Sequence, residues 1–187
     1  MIIPDYQSVM LPLLKFSSGG EEHSLRDAIE ALADTFSLSS DERKELLPSG
    51  RQAIFDNRVG WARTYLKKAG LLKSTRRGYF RITQRGEEAL RTNPERIDAQ
   101  FLQKYPEFAE FRQAGRDKRN QVHADSEDQT PEESLELVYQ KLKDNLASEL
   151  VQTVKRCTPA FFERLVIDLL VRMGYGGSRR EAGQAVG

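Results

Sequence analysis

Apolar side chains recur along much of this chain at three- and four-residue spacing, the period of a helix that buries one face. Tyr6, Val9, Met10, Leu13 and Leu14 predict a short helix over Asp5–Phe16, bent at Pro12 and ended by Ser17-Ser-Gly-Gly. Ser24 is placed to cap a second helix whose inner positions are Leu25, Ile29, Leu32, Ala33 and Phe36. A third, brief helix is expected from Asp41 to Leu47 behind Ser40, with Pro48-Ser-Gly as its stop. From Phe55 to Ala69 the residues Phe55, Val59, Ala62, Leu66 and Ala69 form one stripe, and Gly70 ends the element.

The rhythm then changes. Leu71-Leu-Lys and Tyr79-Phe-Arg-Ile-Thr read as two strands joined by Ser74-Thr-Arg-Arg-Gly78, where Gly78 supplies the positive φ of a tight hairpin. Helical pattern resumes from Gln84 to Arg91 behind Thr83, and again after Pro94 through Ile97, Phe101, Leu102, Tyr105, Phe108 and Phe111, with an interruption at Pro106. Residues 113–130 are polar and lack a period, so they are expected to form a linker. Thr130-Pro131-Glu132-Glu133 starts a long helix to about Arg156, and Thr158-Pro159 starts another whose apolar face runs from Phe161 to Met173. Residues 175–187 carry no strand pattern and no cap. The expected fold is mainly α with a small β-hairpin, a winged helix-turn-helix followed by C-terminal helices. Its expected divisions are a domain at 1–112, a linker at 113–130 and a helical segment at 131–187.

Charge adds a location. The 187 residues carry a formal charge of only +1, yet residues 51–91 hold eleven Arg and Lys against three acids, Asp56, Glu87 and Glu88. Cations concentrated on one helix and one hairpin suggest a phosphate backbone as partner. On that reading Asn57, Trp61, Thr64 and Lys68 face the major groove, with Gly60 and Lys67 on the same side. Arg76, Arg77 and Arg81, together with Tyr79, hold the flanking backbone or minor groove, and Arg51 and Gln52 touch phosphate ahead of the helix. Arg58 is also expected to contact DNA, although at the edge of the core stripe it can instead pair with Asp56 or an acid of the second helix, and Trp61 fits the core as well as the groove.

Other chemistry finds little support. One cysteine, Cys157, excludes an internal disulfide and a cysteine-based zinc site and fits a cytoplasmic protein. His23 and His123 lack ligand spacing and are expected at the surface, so no metal residues are assigned. The glycines at 176, 177 and 183 lack the spacing of a phosphate loop. No apolar run reaches the roughly 18 residues of a membrane span, and the first residues do not form a signal peptide.

Arg51-Gln, Asn57-Arg-Val-Gly-Trp-Ala, Tyr65-Leu-Lys-Lys-Ala-Gly-Leu-Leu, Arg77-Gly-Tyr and Ile82-Thr-Gln-Arg-Gly together resemble the N-terminal winged-helix domain of the Mrr family of restriction endonucleases. Phe161-Phe-Glu-Arg-Leu-Val-Ile-Asp-Leu-Leu-Val-Arg-Met-Gly-Tyr-Gly is similar to the first helix of that family's nuclease domain, in which Glu163 matches an acid many members carry. The resemblance implies duplex DNA, often methylated, as partner, action as at least a homodimer, and a divalent metal such as Mg for a complete nuclease. In the family a catalytic Asp and a Gln-x-Lys strand follow this helix, and neither is present here. The expectation is therefore a DNA-binding protein of a restriction system that needs no cofactor and whose nuclease domain is incomplete. Two alternatives stand beside it: a piece of an active metal-dependent type IV endonuclease, and a winged-helix protein-interaction module.

Overall fold

The structure, a computed structural model, describes residues 3–117 and 129–175, and the side chains of 114–117 lie outside that description. Expectations for His123, for most of the linker and for residues 176–187 fall on the remainder.

Local capping chemistry sets the early boundaries. Helix α1 (Tyr6–Phe16) starts where the Asp5 carboxylate accepts the amides of Gln7 and Ser8. The Ser24 hydroxyl caps α2 (Leu25–Thr35) through the amide of Asp27. Ser39, rather than Ser40, caps α3 (Ser40–Lys44), because Glu42 reaches back to its amide and completes a capping box. That helix stops at Lys44, short of the predicted Leu47; an antiparallel bridge from Leu46 to Ala53 closes a turn over Pro48-Ser-Gly instead.

Helix α4 (Ile54–Lys68) then runs through the centre of the fold. Its inward residues Phe55, Val59, Ala62 and Leu66 are fully or almost fully buried against Val9, Met10, Leu13 and Leu14 of α1. A buried aliphatic side chain contributes about 1.5–3 kcal/mol relative to leaving it exposed, so this seam dominates stability. Tyr65 joins the same core to a cluster of aromatic rings, with centroids of Tyr6, Phe108 and Phe111 at 5.3, 5.4 and 6.0 Å.

Strands β2 (Leu72–Ser74) and β3 (Tyr79–Ile82) form the expected hairpin around Gly78, whose φ is +81°. A third strand that periodicity did not show, β1 (His23–Ser24), pairs with β3, giving the antiparallel order β1-β3-β2. Two residues are too few to show alternation. His23 is accordingly half-buried, its ring 4.7 Å from that of Phe16, and not the surface residue expected.

Helix α5 (Gln84–Arg91) begins at the Thr83 cap, and a short α6 (Ala99–Leu102) follows. Pro106 does not interrupt a helix but begins one, α7 (Pro106–Asp117), which enters the predicted linker. Helices α8 (Pro131–Arg156) and α9 (Pro159–Arg172) match their predicted starts, Thr158 capping α9 through the amide of Phe161. By contacts the chain divides into Met1–Leu137 and Val138–Gly187, so the first turns of α8 belong with the winged-helix unit. The second unit, by itself, leaves Leu142, Leu146, Phe161 and Leu169 half exposed or more.

Candidate nucleic-acid interface

One side of α4 is closed to solvent by its own chain. Thr130 is fully buried and Glu133 nearly so, and both turn toward the first half of α4. The Thr130 hydroxyl donates to Asn57 Oδ1 at 2.7 Å, while Asn57 Nδ2 donates to Glu132 at 2.6 Å. Asn57 is only 2% exposed and so does not present its amide to a groove, contrary to the expectation from its place on the polar side of the helix. Arg58 pairs with Glu133 at 2.7 Å and donates to the carbonyls of Ile3 and Pro4. It is internal, as its position at the edge of the core stripe allowed, but its acid comes from 75 residues downstream and is neither Asp56 nor an acid of α2. Trp61 packs on the core with its ring 5.9 Å from Tyr65 and perpendicular to it.

What reaches solvent on α4 is a strip of half-buried Gly60 and Thr64 and exposed Lys67 and Lys68, of which the last three share a cleft with Glu107, Glu110 and Phe111 of α7. Thr64 returns its hydroxyl to the carbonyl of Gly60, and the Lys68 ammonium lies 5.0 Å from the Phe111 ring centre, while Lys67 has no ion pair among the described residues. Gly60 has negative φ and nothing within 4 Å of where a Cβ would stand, so neither conformation nor packing requires a glycine there. It lets another surface approach the helix backbone closely.

Arg63, at the edge of this strip, was not singled out by the sequence reasoning. Its Nε is buried without a hydrogen-bond partner among the described residues, and desolvation holds the guanidinium below its ordinary pKa. A cation desolvated without a carboxylate is set to gain from an incoming anion. Its signal in the sequence was its place one turn after Gly60. Asp56, one turn before Gly60, is the opposing charge, and burial raises its carboxyl above the usual range.

The wing adds a second group of cations. Lys73 and Arg81 stand directly opposite each other across β2 and β3, both exposed. Like charges in register repel, an arrangement that an anion between them would relieve. Lys73 too was missed, although strand alternation places it beside Arg81. At the hairpin tip Arg77 is exposed and unpaired among the described residues, whereas Arg76 bonds Glu22 at 2.7 Å and stacks 3.6 Å over the half-buried Tyr79 ring. The Glu22 carboxylate holds the Arg76 guanidinium above its ordinary pKa. Arg51 and Gln52 are exposed in the turn before α4.

Glu163 lies on α9, in the second unit. Among the described residues no three His, Cys, Asp or Glu side chains converge as a metal site would need. Cys157 donates its thiol to the Thr153 carbonyl and has neither a second cysteine nor a histidine beside it among the described residues. No helix among the described residues is long and apolar enough to cross a membrane.

A family model of the Mrr N-terminal domain matches residues 6–92, which span α1 to α5. The type IV methyl-directed restriction enzyme EcoKMrr of Escherichia coli strain K12 is 31% identical over 190 residues, an alignment that takes in 96% of this chain and 62% of the relative's length. No solved structure matches. Residues 6–92, with the winged-helix order of elements, are thus an Mrr N-terminal domain, and the likeness to an Mrr restriction enzyme continues through α8 and α9.

Proposed function

We propose that the chain binds duplex DNA as the recognition part of a restriction-system protein that senses modified DNA. The open strip of α4 enters the major groove, and the wing holds the adjacent backbone or minor groove. The observation that carries this reading is the pairing of a solvent-reaching helical strip, half-buried Gly60 and Thr64 with exposed Lys67 and Lys68, with exposed Lys73, Arg77 and Arg81 on the wing. Thr64 and Lys68 are the groove-facing side chains, Arg63 and the wing cations are phosphate contacts, and Asn57 and Arg58 set the position of α4 from behind. Non-covalent recognition of this kind uses no cofactor.

The methyl-directed activity and the divalent metal belong to the relative and to a complete family nuclease, and extend to this chain as proposals. Glu163 is proposed to contribute to such a nuclease only together with ligands from beyond α9. Assembly as a homodimer is proposed through the apolar faces of α8 and α9. The alternative of a protein-interaction module predicts no salt-sensitive affinity for DNA.

Fluorescence anisotropy with matched methylated and unmethylated duplexes across a salt series tests the reading. The expected result is binding that weakens steeply with salt, roughly one unit of log–log slope for each phosphate contact. Lys73→Glu/Arg81→Glu and Arg76→Glu/Arg77→Glu should each weaken binding at least tenfold at moderate salt and reduce the slope. Binding that these reversals leave unchanged would exclude the wing, and tighter binding to methylated duplex would tie the protein to modification sensing.

A further inference from the structure

The turn ahead of α4 holds an anion. Ser49 grips both oxygens of one carboxylate: its backbone amide donates to Glu136 Oε2 at 2.9 Å, and its hydroxyl donates to Oε1 at 2.6 Å. The turn is built for this. Gly50, with φ +70°, donates its amide to the Leu47 carbonyl at 2.7 Å, and the bridge from Leu46 to Ala53 closes the base, which leaves the Ser49 amide free to point outward. Arg51, Gln52 and Glu132 border the same cavity; the Glu132 carboxylate accepts from Asn57, and Arg51 has no ion pair among the described residues. A backbone amide, a hydroxyl and an unpaired guanidinium together suit two non-bridging oxygens of a phosphodiester.

We infer that the Ser49 turn is a binding site for a backbone phosphate of duplex DNA, and that Glu136 occupies it in the free protein. The inference rests on the DNA-binding reading above. Two kinds of contact distinguish the occupant from the strap that carries it. Thr130 and Glu133, the anchors, are buried, whereas the Ser49–Glu136 contacts are exposed to solvent. Glu136 can therefore leave its seat while the anchors stay in place. The site lies in the turn immediately before α4, so a phosphate held there would fix the position of the helix on the duplex.

Occupation by an internal carboxylate lowers apparent affinity by the fraction of molecules in which the seat is free. A seat filled about four-fifths of the time predicts that Glu136→Ala tightens binding of a fluorescein-labelled duplex about fivefold. Charge removal alone also attracts DNA, so the test is a double-mutant cycle on the full chain: wild type, Glu136→Ala, Ser49→Ala and the pair. Both positions make exposed contacts, and thermal melting of all four should coincide. The expected result is that Ser49→Ala weakens binding and that the gain from Glu136→Ala shrinks below twofold in the Ser49→Ala background. An equal gain in both backgrounds, or no gain in the wild-type background, would overturn the inference while leaving the DNA-binding reading intact. Absence of duplex binding by all four proteins would remove both.

Discussion

Two helical glycines show how one residue type takes opposite parts. At Gly86 in α5 a Cβ would stand 2.3 Å from the Leu71 carbonyl oxygen and 2.6 Å from Ile82 Cγ1, because the helix lies directly on the hairpin it follows. Gly86→Ala should therefore destabilise the fold by about 2 kcal/mol or more, as overpacking against backbone does. At Gly60 the same change meets nothing, and Ala is the better helix former, so Gly60→Ala should raise stability by about 0.5–1 kcal/mol. If Gly60 serves close approach to DNA, Gly60→Gln should leave the melting temperature near wild type and weaken duplex binding several-fold. Unchanged affinity would remove Gly60 from the interface. Neither role was legible in the sequence, where both are single glycines inside a helical pattern. The difference lies in what comes close to them from elsewhere in the chain.

At the scale of elements, the strap from Thr130 into α8 decides which part of α4 is interface. It brings Thr130, Glu132 and Glu133 onto Asn57 and Arg58 and converts two expected DNA contacts into supports. The helix starts at Ser24, Thr83, Thr130 and Thr158 were readable because each is set by a side chain within three residues. The strap was not, since its partners are separated by more than seventy positions. It also bears on where the first unit ends: we propose 137, not 112, as the natural boundary. A fragment of residues 1–137 should melt like the full chain's first transition and keep its duplex affinity. A fragment of residues 1–112 loses Thr130, Glu132 and Glu133 as partners of Asn57 and Arg58 and should be less stable by about 1–3 kcal/mol, the cost of removing hydrogen bonds and an ion pair from partly buried polar groups. Equal melting of the two fragments in circular dichroism would show the strap to be dispensable.

On the scale of the whole molecule the two units differ in kind. Among the described residues every buried apolar residue of the core lies between Ile3 and Phe108, whereas α8 beyond Leu137 and α9 leave large apolar side chains half exposed. Leu142 and Leu146 are 63% and 56% exposed, and Phe161 and Leu169 are 51% and 55%, more apolar surface than a helix pair keeps in water without a partner. Sedimentation analysis of the full chain should accordingly show a concentration-dependent dimer, and the 1–137 fragment should remain monomeric. Monomers at all concentrations for both would exclude self-association through these helices.

The chain's own order determined a good deal about this protein. Helical stripes, caps and the hairpin glycine predict nearly every element, and the clustering of cations in residues 51–91 points to the helix and the wing. These are properties of neighbours a few positions apart, and backbone geometry converts them directly into local structure. Tertiary structure alone decided which polar residues of α4 stay open, that a two-residue strand completes the sheet, that Lys73 meets Arg81, and that Glu136 sits on Ser49. Each of those depends on a contact between distant segments. A polar residue such as Asn57 carries no local mark of whether it will face water, a phosphate or a buried threonine hydroxyl.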